Sequence, residues 1–342
     1  MRKVSITEIC SATGLSRSTV DRAINGRGQV HPRTVATIES TVRRLADNAP
    51  NASPGTGMPV DVLLRLGAGM TRQMQRTFET VRGPEDRFYD LFQLTEEMVI
   101  RHLREVCSDT KRAAIVAVKD TDRIRRLLAR SRRAGKKIVA MVSELNTDAR
   151  DGFVGIDNKA AGATAAYLVN EAIGNRPSTV GVVVGDNAFR CHEDREIGFR
   201  TTLREIGKKV VLAGEARGED NPERTYHAVL RMLETHPGIG AIYNVSGGNN
   251  GLTRALKEIS RDQDVIVVSH ELTHISLPLL QDNALNFMFS QDPMTLLSGA
   301  MNLARNIQPQ SDIRRYVDFG VYTRYNLPEF ARDLELASPR SG

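Results

Sequence analysis

The chain has 342 residues, 40% of them apolar, and a formal net charge of +6, enough length for more than one domain and for a sizeable core. No run approaches the ~18 consecutive apolar residues of a membrane span. MRKVSITEIC at the start lacks the apolar core of a secretory signal, so a cytoplasmic protein is expected.

Cys10, Cys107 and Cys191 lie far apart and show neither metal-ligand spacing nor a disulfide framework, so buried, inert thiols are expected. The first 50 residues carry eight arginines and lysines against Glu8, Asp21, Glu39 and Asp47. A basic excess in so short a segment suits a polyanionic partner.

Three short helices are predicted there. Thr7 caps the first, whose Ile6, Ile9 and Cys10 form an apolar face, and Gly14 ends it. Ser16 caps the second, RSTVDRAIN, which stops at Gly26. Val20, Ala23 and Ile24 share one of its faces; Arg17, Ser18, Asp21 and Arg22 share the other. The third begins near Pro32 and turns Val35, Ile38, Val42 and Leu45 inward. A second helix with short and cationic side chains outward suits the major groove, where arginine pairs with guanine and Ser16 and Thr19 suit phosphates.

Residues 4–46 resemble the headpiece of the lac repressor (LacI/GalR) family, over "ITEICSATGLSRSTVDRAINGRGQVHPRTVATIESTVRRL". The resemblance implies base reading by Arg17, Ser18 and Arg22, and phosphate contacts from Ser5, Ser16, Thr19, Asn25 and Thr34. Asp21 departs from that pattern, since an acid repels phosphate. The next stretch departs further. Family members follow the headpiece with a hinge helix carrying a leucine wedge, whereas "DNAPNASPGTGMP" has no leucine and holds helix breakers at Pro50, Pro54, Gly55 and Gly57. Residues 47–59 read as an extended linker between a helix-turn-helix domain, 1–46, and a larger domain, 60–342.

From residue 60, short apolar strands alternate with helices: 60–66, 88–94, 113–118, 137–142 and 153–156, then 179–185, 209–214, 241–245, 264–269 and 285–290. Such alternation implies parallel sheets. The region is long for one doubly wound sheet, so two lobes are expected. The basic run 123–137 carries leucines at helical spacing and reads as a solvated helix face.

This region also resembles the rest of the lac repressor family and the related periplasmic sugar-binding proteins. Its landmarks are "GIDNKAAGATAA", "HEDREIGFR", "IYNVSGGNNG", "VVSHELT" and "SQDP". The implied fold is an α/β two-lobed periplasmic-binding-protein core with parallel sheets. Ligands of such folds sit at the C-terminal ends of the strands. The resemblance places Arg195, Glu271 and Gln291 on the ligand. Asn244 or Ser246 ends another strand as a donor, and Ser143 and Glu144 end the strand 137–142 facing the same cleft. Asp157, just after a strand, reads rather as a helix cap.

"SGGNNG" matches no phosphate-loop spacing, and His270 with Glu271 lacks a nucleophile with its own base. No enzyme, cofactor or metal is expected. The expected function is a ligand-responsive repressor that binds operator DNA as a homodimer under control of a sugar, polyol or sugar acid. The alternative is a sugar-binding transport-type protein without a DNA role.

Overall fold

The computed structural model describes residues 6–13, 15–26, 30–47, 57–174, 178–206 and 210–335. It divides into two compact units, Met1–Thr56 and Gly57–Gly342.

The small unit holds α1 (Ile6–Thr13), α2 (Arg17–Ile24) and α3 (Pro32–Asp47). Ser16 takes the extended N-cap conformation of α2 and accepts from the Thr19 amide at 3.3 Å. Beyond the C-cap Asn25, Gly26 adopts φ +62°, a left-handed turn that glycine takes at little cost. Ile9, Val20 and Ile38 are buried against one another, flanked by Ile6, Cys10, Leu15, Ala23 and Val42. Two expectations shift. α1 already contains Thr7, which therefore does not cap it, and Ile24 stays exposed although it shares a face with Val20. Gly14, the side chain of Leu45 and linker residues 48–56 lie outside the described residues, while Asp47 ends α3.

The large unit builds two sheets. Its first lobe runs β1 (Val60–Leu64), α4 (Ala68–Val81), β2 (Arg87–Asp90), α5 (Glu96–Ser108), β3 (Ala113–Ala117), α6 (Asp122–Arg133), β4 (Ile138–Met141) and β5 (Gly152–Gly155). The second runs α7 (Asn158–Ile173), β6 (Ser178–Val184), α8 (Arg190–Ile206), β7 (Val210–Arg217), α9 (Pro222–Thr235), β8 (Ile239–Asn244), α10 (Asn249–Glu258), β9 (Ile266–His270), α11 (Ser276–Gln281) and β10 (Phe287–Ser290). Then follow α12 (Pro293–Asn306), β11 (Ile313–Tyr316), β12 (Gly320–Tyr322) and α13 (Ala331–Glu335).

The strand orders are β11-β5-β4-β3-β1-β2 and β12-β10-β9-β8-β6-β7. β12 runs antiparallel to β10, and the other pairs are parallel. Helices cover both faces of a parallel sheet, which is why β1, β3 and β4 are apolar nearly throughout and fully buried. α12 returns to the first lobe, where Leu296, Leu297, Ala300 and Leu303 pack on Val60, Val62 and Ile115. The chain thus passes between the lobes after β5, after β10 and between β11 and β12.

Each strand expected from the sequence is present, and β11 and β12 are additions. β11 reads IRRY and is exposed along its length, so no apolar signal marks it. On α6, Ile124 and Leu128 are buried while Arg123 pairs with Glu97 at the surface. The basic run is not solvated throughout, however. Arg132 donates to Asp151 at 2.7 Å. Lys136 is fully buried and gives its ammonium to the carbonyls of Val106 (2.7 Å) and Asp109 (2.8 Å).

Candidate ligand-binding cleft

A cavity of about 180 Å³ opens at the C-terminal ends of β1, β8 and β9, within the large unit. Its two walls differ in chemistry. The first lobe supplies Leu66, Gly67, Ala68, Gly69, Met70, Phe92 and Val142, an apolar wall whose polar groups are backbone amides. The second supplies Arg195, His192, Asp220, Ser246, Asn249, His270 and Glu271.

Arg195 is the hub. It is 2% exposed. Its Nε donates to Asn158 Oδ1 at 2.8 Å, its Nη1 to the Val245 carbonyl at 3.1 Å and its Nη2 to Glu271 Oε1 at 2.9 Å. Burial alone would disfavour its charge; Cys191 and Glu271 outweigh burial and keep it protonated. The close approach of α7 and α8 at Gly162 and Gly198 sets Arg195 beside Asn158. Glu271 ends β9 with φ +68°, a conformation that costs a non-glycine residue on the order of 1 kcal/mol or more. Its amide donates to Phe289 O at 2.8 Å, and its Oε2 accepts from Gln291 Nε2 at 3.1 Å.

Two histidines in the cavity behave oppositely. His270 is buried, and burial, then Arg195 and His192, push its pKa well below the ordinary value, so it is neutral. Its Nε2 lies 2.7 Å from the Tyr243 hydroxyl, and its ring stacks on Phe289. Burial would lower the pKa of His192 as well, but Cys191 and Asp220, whose Oδ1 is 3.9 Å from Nε2, raise it to about 9. Cys191 differs from the inert thiol expected of it. Burial would raise its pKa, yet His192, Arg195 and Ser143 hold it below the ordinary thiol value. Cys107 follows expectation, pushed up to about 11 by burial.

Of the side chains assigned to the ligand from sequence, Arg195, Ser246 and Glu271 line the cavity. Gln291 stands one bond behind Glu271. Asn244 is fully buried and braces the turn after β8, donating to Gly247 O (3.1 Å) and Asn249 Oδ1 (2.9 Å). Ser143 and Glu144 do not line the cavity. Ser143 accepts from the Cys191 amide at 3.3 Å, and Glu144 is held by its ion pairs to the buried Arg150 and to Arg314. Asp157 caps α7, accepting from Ala160 at 2.9 Å. His192 and Asp220 escaped the sequence reading, while His270 was singled out there only as a dyad with Glu271. His192 lies inside a quoted landmark, and Asp220 lies in a loop whose φ of +58° brings it to the Gly247 amide.

In the small unit, Ser16, Arg17, Ser18, Arg22 and Asn25 are exposed, and Thr19 and Thr34 are half-buried. Ser16 is committed to its cap, Arg22 Nε donates to Ser18 O at 3.1 Å, and Asn25 closes α2 onto Asp21. Ser5 lies outside the described residues.

The model of the periplasmic binding protein domain matches residues 109–308, more than half of the chain. The chain belongs to this family. No curated protein matches its sequence. Among solved structures, it is similar to GanP, a glucose-galactose binding protein from Geobacillus stearothermophilus, with 15% identity and a TM-score of 0.67 over 79% of this chain and 99% of that one. It is similar to an ABC transporter solute binding protein from Burkholderia graminis in complex with D-arabinose, with 16% identity and a TM-score of 0.69 over 80% and 98%. A Mycobacterium smegmatis protein in complex with β-D-fucofuranose gives 17% identity and a TM-score of 0.69 over 82% and 97%.

At these identities the likeness shows the fold, a two-lobed periplasmic-binding-protein core. The expectation of a repressor acting on operator DNA as a homodimer is corrected. The matched family is that of periplasmic binding proteins, and these similar structures are named for sugar and solute binding, with no DNA-binding regulator among them. The basic small unit misled that reading, because surface charge and helical spacing describe a surface and not its partner.

Proposed function

We propose that the protein is a sugar-binding protein of the transport type, holding a sugar-like ligand between the lobes of its large unit. The observation that carries this reading is the buried Arg195–Glu271–Gln291 series, which aims a charged pair into a cavity at the strand ends. A buried pair costs more in desolvation than it returns unless it has further work. Ligand contact is work of that kind. Arg195, Glu271 and Ser246 contact the ligand in this reading, and Asn244 and Gln291 orient them. Phe92 and Met70 offer an apolar surface to the C–H face of a sugar ring. The small unit we assign, in fold only, to the helix-turn-helix type that resembles the lac repressor headpiece, and we attach no role to it.

The test is a thermal-shift screen of monosaccharides, polyols and sugar acids, followed by calorimetry. A ligand at a hundred times its Kd stabilises by about 2.7 kcal/mol, a rise of several degrees in a protein of this size. Arg195→Met should remove that rise. If no member of the panel shifts the melting curve at millimolar concentration, the reading is wrong.

A further inference from the structure

The two lobes reach the cleft with the same backbone device and opposite chemistry. Their sheets share one strand order, so β4 in the first corresponds to β9 in the second. Val142 follows β4, Glu271 follows β9, and both line the cavity. Each has φ +68°, and each donates its amide to the neighbouring strand, Val142 to Val154 O at 3.0 Å and Glu271 to Phe289 O at 2.8 Å. The Ser143 amide also donates back to Met141 O at 2.8 Å, closing a γ-turn on Val142. A positive φ is a steric outlier for a β-branched residue, and strain of this kind clusters at binding sites. One lobe thus gives this strained position to a carboxylate and the other gives it to an isopropyl group.

The rest of the first-lobe wall agrees with Val142. It adds Leu66, Met70 and Phe92, and it brings no hydroxyl, carboxamide or charged side chain to the cavity. Met70 and Val142 belong to the buried core of that lobe, and Leu66 packs against it, so the wall is continuous with the core. The polar side chains that follow β3 and β4 are held elsewhere. Lys119 pairs with Asp186, Asp120 accepts from the Asn146 amide at 3.0 Å, and Glu144 pairs with Arg150.

The C–H face of a sugar ring needs one apolar surface, which Phe92 and Met70 supply. Hydroxyls project from the rim of the ring on every side, and the rim that meets the first lobe finds no side chain to receive them. A hydroxyl laid against Leu66 and Val142 gives up water without a side-chain partner. A methyl group in the same place gains from the apolar area it buries.

We propose that the natural ligand is a sugar with an apolar group on its edge toward the first lobe, either the methyl of a 6-deoxysugar or an apolar aglycone, and that Val142 selects for it. The proposal rests on the sugar-binding reading and narrows it. The experiment is calorimetry on the full chain with matched sets in the gluco, galacto and manno series: the parent hexose, its 6-deoxy derivative and its α- and β-methyl glycosides. An apolar site rejects an added hydroxyl by roughly a hundredfold at most, so in the series that binds, the deoxysugar or a methyl glycoside should bind about tenfold or more tighter than the parent. The better of the two identifies the group. Val142→Thr keeps the branched shape and exchanges one methyl for a hydroxyl, and it should narrow that preference to about threefold or less. A preference short of tenfold would overturn the proposal and leave the sugar-binding reading standing, as would one that Val142→Thr leaves unchanged. No binding in any series would overturn both. Should Val142→Thr not fold, the matched sets on the unaltered protein decide the question.

Discussion

Gly162→Ala tests whether the approach of α7 to α8 positions Arg195. A Cβ built at Gly162 lies 2.0 Å from the Arg195 carbonyl oxygen and 2.9 Å from the Phe199 amide nitrogen. Carbon and carbonyl oxygen in contact normally sit about 3.3–3.6 Å apart, so the helices must part by on the order of 1 Å. The obstructing atoms are backbone and cannot swing aside. Overpacking costs about 1–3 kcal/mol, and rigid neighbours put this site at the top of that range. Replacing glycine in a helix returns up to ~1 kcal/mol. The net loss is about 2 kcal/mol, a fall in Tm of roughly 3 °C in a unit of this size. The displaced atom belongs to Arg195 itself, so the hydrogen bond to Asn158 loosens and ligand affinity falls with stability. Gly299→Ala on α12 is the control, since its Cβ would meet only Val154 Cγ1 at 3.6 Å, an ordinary contact. It should leave Tm unchanged or raise it. Equal melting of the two variants, with ligand affinity intact in both, would refute the reasoning.

Two further predictions separate the cleft from its surroundings. Glu144→Gln removes one partner of the fully buried Arg150, which keeps Asp312; it should cost about 1–3 kcal/mol in denaturant melts and leave ligand affinity within twofold, and a tenfold loss would return Glu144 to the ligand. Burial alone would lower the pKa of His192, but Cys191 and Asp220 raise it from 6.5 to about 9. The folded state therefore binds this proton more tightly than the unfolded state. The stabilisation is complete below about pH 6.5 and fades as the pH rises through about 9. His192→Gln should flatten the stability profile across that window, and an unchanged slope would mean that His192 is neutral.

The parallel strands were legible because a strand covered on both faces must be apolar throughout, and VDVLL, AAIVA and IVAM show that plainly. Arg195 and Glu271 were legible through the motifs around them. β11 was not, since an exposed edge strand needs no apolar residues. His270 was legible only as the neighbour of Glu271, because its surroundings, Tyr243, Phe289 and an unpaired nitrogen, are not local in sequence. Glu144 misled for the converse reason. An acid at a strand end looks available, and only the tertiary structure brings Arg150 and Arg314 to it. The function was the largest error: a basic three-helix segment outweighed the core that makes up most of the chain.

The crossings between the lobes explain why the cleft side chains form a connected series. Asn158 opens α7 just after the first crossing, and Gln291 leaves β10 at the second. Between them run three hydrogen bonds: Asn158 to Arg195, Arg195 to Glu271, and Glu271 to Gln291. Each lies in a buried or half-buried setting, where such bonds are stronger and stiffer than in water. A rotation of one lobe against the other must bend the crossing segments, and these bonds hold two of them in one geometry. A ligand that draws on Arg195 or Glu271 therefore acts on both segments at once. Its binding energy can bias the angle between the lobes only to the extent that it prefers one arrangement of these four side chains to another. The cleft and the hinge are in this sense one hydrogen-bonded structure.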